Sequence, residues 1–193
     1  MRLAGSECRW TTLRSDGTDR VIQRLRVPIG FVIAAAVLYL ATPKGITILI
    51  GLPIAVSGAL LRGMAAGVIR KDSKLATGGP YGWTRNPLYF GSFLLSLGFG
   101  IMSASWIAAM LLIIPSLVIY PNVIRNEESH LALLFPEDFE RYRAEVPRFI
   151  PKFSRFEPSF SFKQYMANRE YNTALGFGFV LTVFIIKCLS NGG

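Results

Sequence analysis

Five long apolar blocks without a charged residue constrain the fold of this chain more than any other feature. They cover residues 27–42, 46–61, 87–102, 106–120 and 174–186, each 13 to 16 residues long. Semi-polar flanks extend each block toward the ~20 residues that carry a helix across a ~30 Å hydrocarbon layer. Lipid offers backbone N–H and C=O groups no partner, so segments of this kind fold as helices. The alternative, a soluble bundle, would have to solvate helices that have no polar stripe. The expected fold is all-α: an integral membrane bundle of five transmembrane helices, with short helices on the cytoplasmic side.

The charges say which way such a bundle would face. The net charge of +9 could point to nucleic acid, but the positions of the 21 Lys and Arg argue otherwise. Six fall in residues 1–26, five in 62–85 and eight in 125–169. Only Lys44 and Lys187 lie elsewhere, and the 103–105 connection is uncharged. Basic segments thus alternate with non-basic ones, as cytoplasmic loops do under the positive-inside rule. The expectation is a cytoplasmic amino terminus, an outside carboxyl terminus, and basic loops that contact anionic lipid. Nucleic acid is not an expected partner. Residues 1–26 are too long and polar for a usual signal-peptide n-region, and with four further blocks behind it the first is expected to be an uncleaved anchor. Cys8 and Cys188 are expected on opposite faces, which excludes a disulfide between them.

Within this frame the chain reads as one domain over 1–193. A basic amino-terminal segment (1–26) precedes the spans, a polar-loop core covers 73–151, and an interfacial helix with the last span covers 158–193. Thr42-Pro43-Lys44-Gly45 is a tight turn. Ala55, Ala59, Gly63 and Gly67 recur every fourth residue, a small-residue stripe suited to close helix packing. The stretch 71–85 is a loop with three glycines, and 121–135 continues the fourth span as a polar helix. Pro136, with Glu137 and Asp138 behind it, opens another helix whose apolar face is Phe139, Tyr142 and Val146. Aromatic and basic residues mix over 160–171, the pattern of a helix lying in the membrane interface.

Usual nucleophilic and metal constellations are missing. His130 is the sole histidine, so no two-histidine metal site can form within the chain. Gly98-Phe99-Gly100 sits inside a span, where GxG is ordinary helix composition. Two polar clusters remain, both at the expected cytoplasmic edge. The first is Gly79-Pro80-Tyr81 followed by Arg85-Asn86-Pro87-Leu88-Tyr89-Phe90-Gly91. By itself it reads equally as interface decoration, with aromatic belts and a snorkelling arginine. The second is Arg125-Asn126-Glu127-Glu128-Ser129-His130-Leu131, where Arg125 and Glu128 could simply pair at i,i+3 on a solvated helix. Behind it follow Phe135-Pro136, Phe139, Tyr142 and Val146-Pro147-Arg148-Phe149-Ile150-Pro151.

Taken together, the two clusters resemble the membrane methyltransferase family that includes isoprenylcysteine carboxyl methyltransferase and phosphatidylethanolamine N-methyltransferase. The resemblance covers residues 73–151. It implies an S-adenosylmethionine site, with Ser73, Lys74, Leu75 and Ala76 over the cofactor. Tyr81, Asn86, Pro87, Leu88 and Tyr89 would line the cavity, and Glu127 and Glu128 would stand at its polar end. Such residues suit the ligand chemically: a carboxylate matches its ammonium, and tyrosine faces attract a sulfonium. Arg85 can bind a carboxylate bidentately, or brace the loop or Glu128. No catalytic residue is expected beyond positioning by Arg85.

The chain departs from the family pattern at several positions. Asn86 replaces a histidine, Pro136 a glycine and Phe139 a tyrosine, while Val123 stands where carboxyl methyltransferases carry a substrate arginine. Arg125, two residues further on, is the substitute candidate. The expected acceptor is lipophilic and delivered from the bilayer, most simply a carboxylate. A phospholipid amine is the alternative, with His130 as the available base. An NADPH-dependent sterol-type reductase and a non-catalytic membrane subunit or transporter are further readings. Against transport, the five blocks hold no ionisable acid, base or histidine for an ion path.

Overall fold

The computed structural model describes residues 30–70, 74–153 and 157–190. The basic segment 1–26 and Ser73 lie outside the described residues. Apart from one isolated bridge between Arg70 and Lys74, the described secondary structure is helical. The helices are α1 (Gly30–Leu40), α2 (Gly45–Ala66), α3 (Pro87–Met102), α4 (Trp106–Leu134), α5 (Pro136–Glu145), α6 (Phe162–Ala167) and α7 (Tyr171–Ser190), with a 3₁₀ turn at Gly79–Gly82. By length and apolarity α2, α4 and α7 can each cross a membrane, while α1 and α3 are shorter apolar helices.

The predicted fourth span and the polar helix behind it are one rod. α4 runs 29 residues through Pro115 and Pro121, about 43 Å at 1.5 Å per residue. That exceeds the hydrocarbon thickness, so α4 carries Glu127 and Glu128 beyond its apolar part. α5 opens at Pro136 with Glu137 and Asp138 in its first turn, as expected. The expected interfacial helix over 160–171 is shorter, because α6 ends at Ala167 and a turn leads into α7.

α2 and α3 pack backbone against backbone. A Cβ added at Gly58 would sit 2.6 Å from Gly91 O, and one at Gly98 would sit 2.5 Å from Ala55 N. These are main-chain atoms that cannot swing aside, so any side chain there must part the helices. The seam uses Gly51, Ala55 and Gly58, which corrects the small-residue stripe expected at Ala55, Ala59, Gly63 and Gly67. Only Ala55 of that set lies in it. Gly63 and Gly67 instead meet Tyr165 and Phe160.

One end of the bundle collects the short connections. Thr42 N donates to Ser103 O at 2.8 Å, joining the α1–α2 turn to the α3–α4 turn. Lys187, the basic residue stranded near the end of the last block, donates through Nζ to Leu38, Tyr39 and Ala41 carbonyls. It thereby satisfies the carboxyl end of α1 and matches the negative end of that helix. Val37, Ala41, Ala55, Met102, Ala108 and Phe184 form the core between these helices. Both polar clusters lie at the opposite end, where α2 ends, α3 begins and α4 overhangs.

Candidate functional site

The two sequence clusters are laced together by main-chain bonds. Arg85 N donates to Pro147 O at 2.9 Å, and Lys152 N donates to Trp83 O at 2.9 Å. Between them Thr84, fully buried, donates through Oγ1 to Phe149 O at 3.0 Å. Phe149 in turn packs edge-on against Phe90 of α3. The stretch that leads into α3 therefore runs beside the stretch that follows α5, and α4 closes the third side.

The adjacent glutamates of α4 do different work, because neighbours at i and i+1 point about 100° apart on a helix. Glu128 is buried. Its Oε2 accepts from Arg148 Nε at 2.8 Å and from Nη2, and its Oε1 accepts from Asn86 Nδ2 at 3.3 Å. Arg85 Nε lies 3.1 Å from Glu128 Oε1. That contact is ionic rather than hydrogen-bonded, since the Nε proton meets no acceptor in line. Arg85 Nη1 donates to Arg143 O at 3.2 Å. Glu127 is exposed to a cavity, and Tyr89 donates its phenol proton to Glu127 Oε1 at 2.6 Å.

That cavity measures about 490 Å³, within the roughly 300–1,000 Å³ typical of small-molecule sites. Lys74, Leu75, Ala76, Tyr81, Arg85 and Glu127 all line it. A smaller cavity of about 70 Å³ adjoins it across Tyr81, Arg85 and Glu127, and is lined by Asn86, Pro87, Leu88, Tyr89 and Glu128. Eleven of the thirteen residues singled out from sequence thus gather around two adjoining cavities. Arg125 is exposed and lines neither, and Ser73 lies outside the described residues. The i,i+3 pairing of Arg125 with Glu128 does not form; Glu128 pairs with Arg85 and Arg148 instead.

Several residues around the cavities carried no role in the sequence. Arg148 is the second partner of Glu128. Ile69 and Arg70 follow the end of α2 and form one wall. Val123 and His130, both weighed from sequence, and Asn126, which was not, share the cavity face of α4 with Glu127 at i,i+3,i+4 spacing. Tyr142 of α5 donates to Tyr81 O at 2.8 Å. Burial pushes the Tyr81 phenol well up, reinforced by Tyr142, Glu127 and Tyr89. Burial likewise raises Tyr142, with Arg85 opposing and Glu128 adding to the shift. Both phenols stay protonated across physiological pH, and Tyr142 acts as a neutral donor.

Comparison with known proteins places the chain in a family. A model of the phospholipid methyltransferase family matches residues 33–138, more than half of the chain, and the chain belongs to that family. Together with α2, α4 and α7, this makes it an integral membrane protein.

Among individual proteins, it is 32% identical over 120 residues to the nickel-cobalt-cadmium resistance protein NccN of Alcaligenes xylosoxydans xylosoxydans, covering 62% of this chain and 56% of the relative. It is 35% identical over 105 residues to the cobalt-zinc-cadmium resistance protein CzcN of Cupriavidus metallidurans, covering 54% and 48%. The protein-S-isoprenylcysteine O-methyltransferase of Schizosaccharomyces pombe is 32% identical over 81 residues, covering 42% and 34%. The chain spans about half the length of the first two relatives and a third of the last. No solved structure matches.

Proposed function

We propose that the chain is an S-adenosylmethionine-dependent methyltransferase that esterifies a lipophilic carboxylate delivered from the bilayer. α1 and α3 would complete five crossings, with the cavity on the cytoplasmic face. The observation that carries this reading is the charge around the larger cavity. Among the described residues, Arg70, Lys74 and Arg85 line it against the one carboxylate of Glu127. With Arg85 paired to Glu128, Arg70 and Lys74 still outnumber Glu127, a balance that favours an anionic acceptor over a cationic one.

The residues suit the cofactor. Glu127, oriented by Tyr89, offers a carboxylate to its ammonium, and the Tyr81 and Tyr89 rings offer faces to its cationic sulfur. When bound, S-adenosylmethionine supplies a methyl group on sulfonium, which passes to a nucleophile as the carbon–sulfur bond breaks and a thioether leaves. The chain contributes alignment and the exclusion of water. A carboxylate is already ionised at pH 7 and needs no base.

A phospholipid amine is the second reading. His130 favours it, because it lines the cavity one helical turn from Glu127 and could take the proton an ammonium must lose. The two readings separate chemically. Membranes containing the protein are given methyl-labelled S-adenosylmethionine and then treated with mild base. A methyl ester releases volatile labelled methanol, the expected result. Label held entirely in a base-stable choline-type headgroup overturns the carboxylate reading and supports the amine.

Orientation has its own test. With Cys8→Ser and Cys188→Ser as background, Ala104→Cys is expected to react with an impermeant thiol reagent from outside intact cells. Reaction of Ser73→Cys or Ser154→Cys from outside would reverse the orientation.

A further inference from the structure

Helices α6 and α7 lie beyond residue 138, where the family match stops, and neither lines either cavity. The walls of the larger cavity nevertheless rest on the residues just before α6 and on the turn between α6 and α7. α2 ends at Ala66 and the chain then turns into Ile69 and Arg70, which form one wall. A helix end leaves carbonyls without intrahelical partners. Asn168 supplies them, donating through Nδ2 to Ala66 O at 2.7 Å and to Ile69 O at 3.2 Å. Ser161 N donates to Gly67 O at 2.9 Å. The Phe160 ring covers Gly67 so closely that a Cβ there would lie 2.2 Å from Cδ2.

The turn that presents Tyr81 is held by the same segment. Gly79 N donates to Glu157 O at 2.9 Å, and Ser159 covers Gly78. Gly79 has φ +56°, a left-handed conformation that suits glycine, and it opens the 3₁₀ turn that presents Tyr81. A third tie reaches α3. Glu170 takes a bidentate bond from Arg62, 2.7 Å at Nε and 3.0 Å at Nη2. Arg62 Nη1 also donates to Leu88 O at 3.3 Å and to Ser92 Oγ, in the turn that carries Tyr89. Arg169, between Asn168 and Glu170, is held at φ +55°, a conformation a non-glycine residue keeps only where its surroundings enforce it.

We propose that residues 157–173 act as a splint that pre-forms the S-adenosylmethionine cavity, with Asn168 as a positioning residue that touches no ligand itself. This rests on the cofactor reading above. A wall that is already fixed spares the bound state the cost of ordering it, so loosening the splint weakens binding without removing a contact.

The test compares two variants of the full chain, purified in detergent, by S-adenosylmethionine calorimetry and by thermal unfolding. Asn168→Asp keeps the shape of the side chain and loses both donors. It is expected to bind S-adenosylmethionine about tenfold more weakly. Phe184→Leu disturbs the fully buried far end of α7, away from the cavity. It is expected to lower the unfolding temperature and leave affinity within about twofold, as a distant and independent site should. Wild-type affinity in Asn168→Asp, or equal weakening in Phe184→Leu, overturns the splint. Failure of the wild-type chain to bind S-adenosylmethionine overturns the cofactor reading instead. Should Asn168→Asp not purify folded, Phe160→Ala, which lifts the ring from Gly67, takes its place with the same two outcomes.

Discussion

Glu128→Ala is expected to cost about 3–5 kcal/mol of folding stability, the usual penalty for leaving a buried charge without its partner. Arg148→Met is expected to cost under about 1 kcal/mol. The difference follows from where the two arginines stand. The Arg85 side chain is 8% exposed and cannot reach water when Glu128 is removed, whereas the Arg148 side chain is 48% exposed and can. Asn86 Nδ2 would keep Arg148 O at 2.9 Å in the first variant, so the loss centres on Arg85. Unfolding in mixed detergent micelles, followed by circular dichroism, measures both. A loss below about 1 kcal/mol in Glu128→Ala would show that Glu128 is solvated and braces nothing.

The same pair shows what the sequence could and could not reveal. Two adjacent carboxylates just past an apolar helix were conspicuous, since acidic residues do little for topology. Their division of labour was not legible. Arg148 lies 20 residues beyond Glu128, across a helix and a proline turn, and no local spacing connects them. Arg125 sat at helical pairing distance, but the tertiary partners Arg85 and Arg148 hold the carboxylate instead. Arg62 was equally silent: it marked the edge of an apolar block, and only the folded chain shows it joining α2, α3 and Glu170 of the C-terminal segment.

The small-residue stripe failed for a geometric reason. Steps of four residues advance 400° around a helix, so each step drifts about 40° from its starting face. Three steps from Ala55 reach Gly67, about 120° away, where Phe160 packs rather than α3. The true seam alternates steps of four and three, from Gly51 to Ala55 to Gly58, which stays on one face. Helix type and most boundaries were readable because uncharged blocks and prolines set them locally. α5 is the clearest instance, with Pro136 at its start and Phe139 and Tyr142 buried on its predicted face.

Glu127→Gln is expected to weaken S-adenosylmethionine binding roughly 10- to 150-fold, the equivalent of about 1.5–3 kcal/mol for a hydrogen bond to a charged group. The substitution keeps the size of the side chain and an oxygen for Tyr89, and removes only the negative charge offered to the cofactor ammonium. Tyr89→Phe, which frees Glu127 to change rotamer but leaves its charge, is expected to cost less, roughly 2- to 10-fold. Glu140→Gln serves as the control. It stands exposed on α5, paired only with Arg143, and should leave binding unchanged. The ordering matters as much as the sizes. If Tyr89→Phe weakened binding more than Glu127→Gln, the Tyr89 hydroxyl would be the larger contact, since phenylalanine keeps the ring face. If Glu127→Gln behaved like Glu140→Gln in calorimetry of folded protein, the ammonium would have to be held elsewhere. Glu128 could not take that role, because its carboxylate is already committed to Arg85, Arg148 and Asn86.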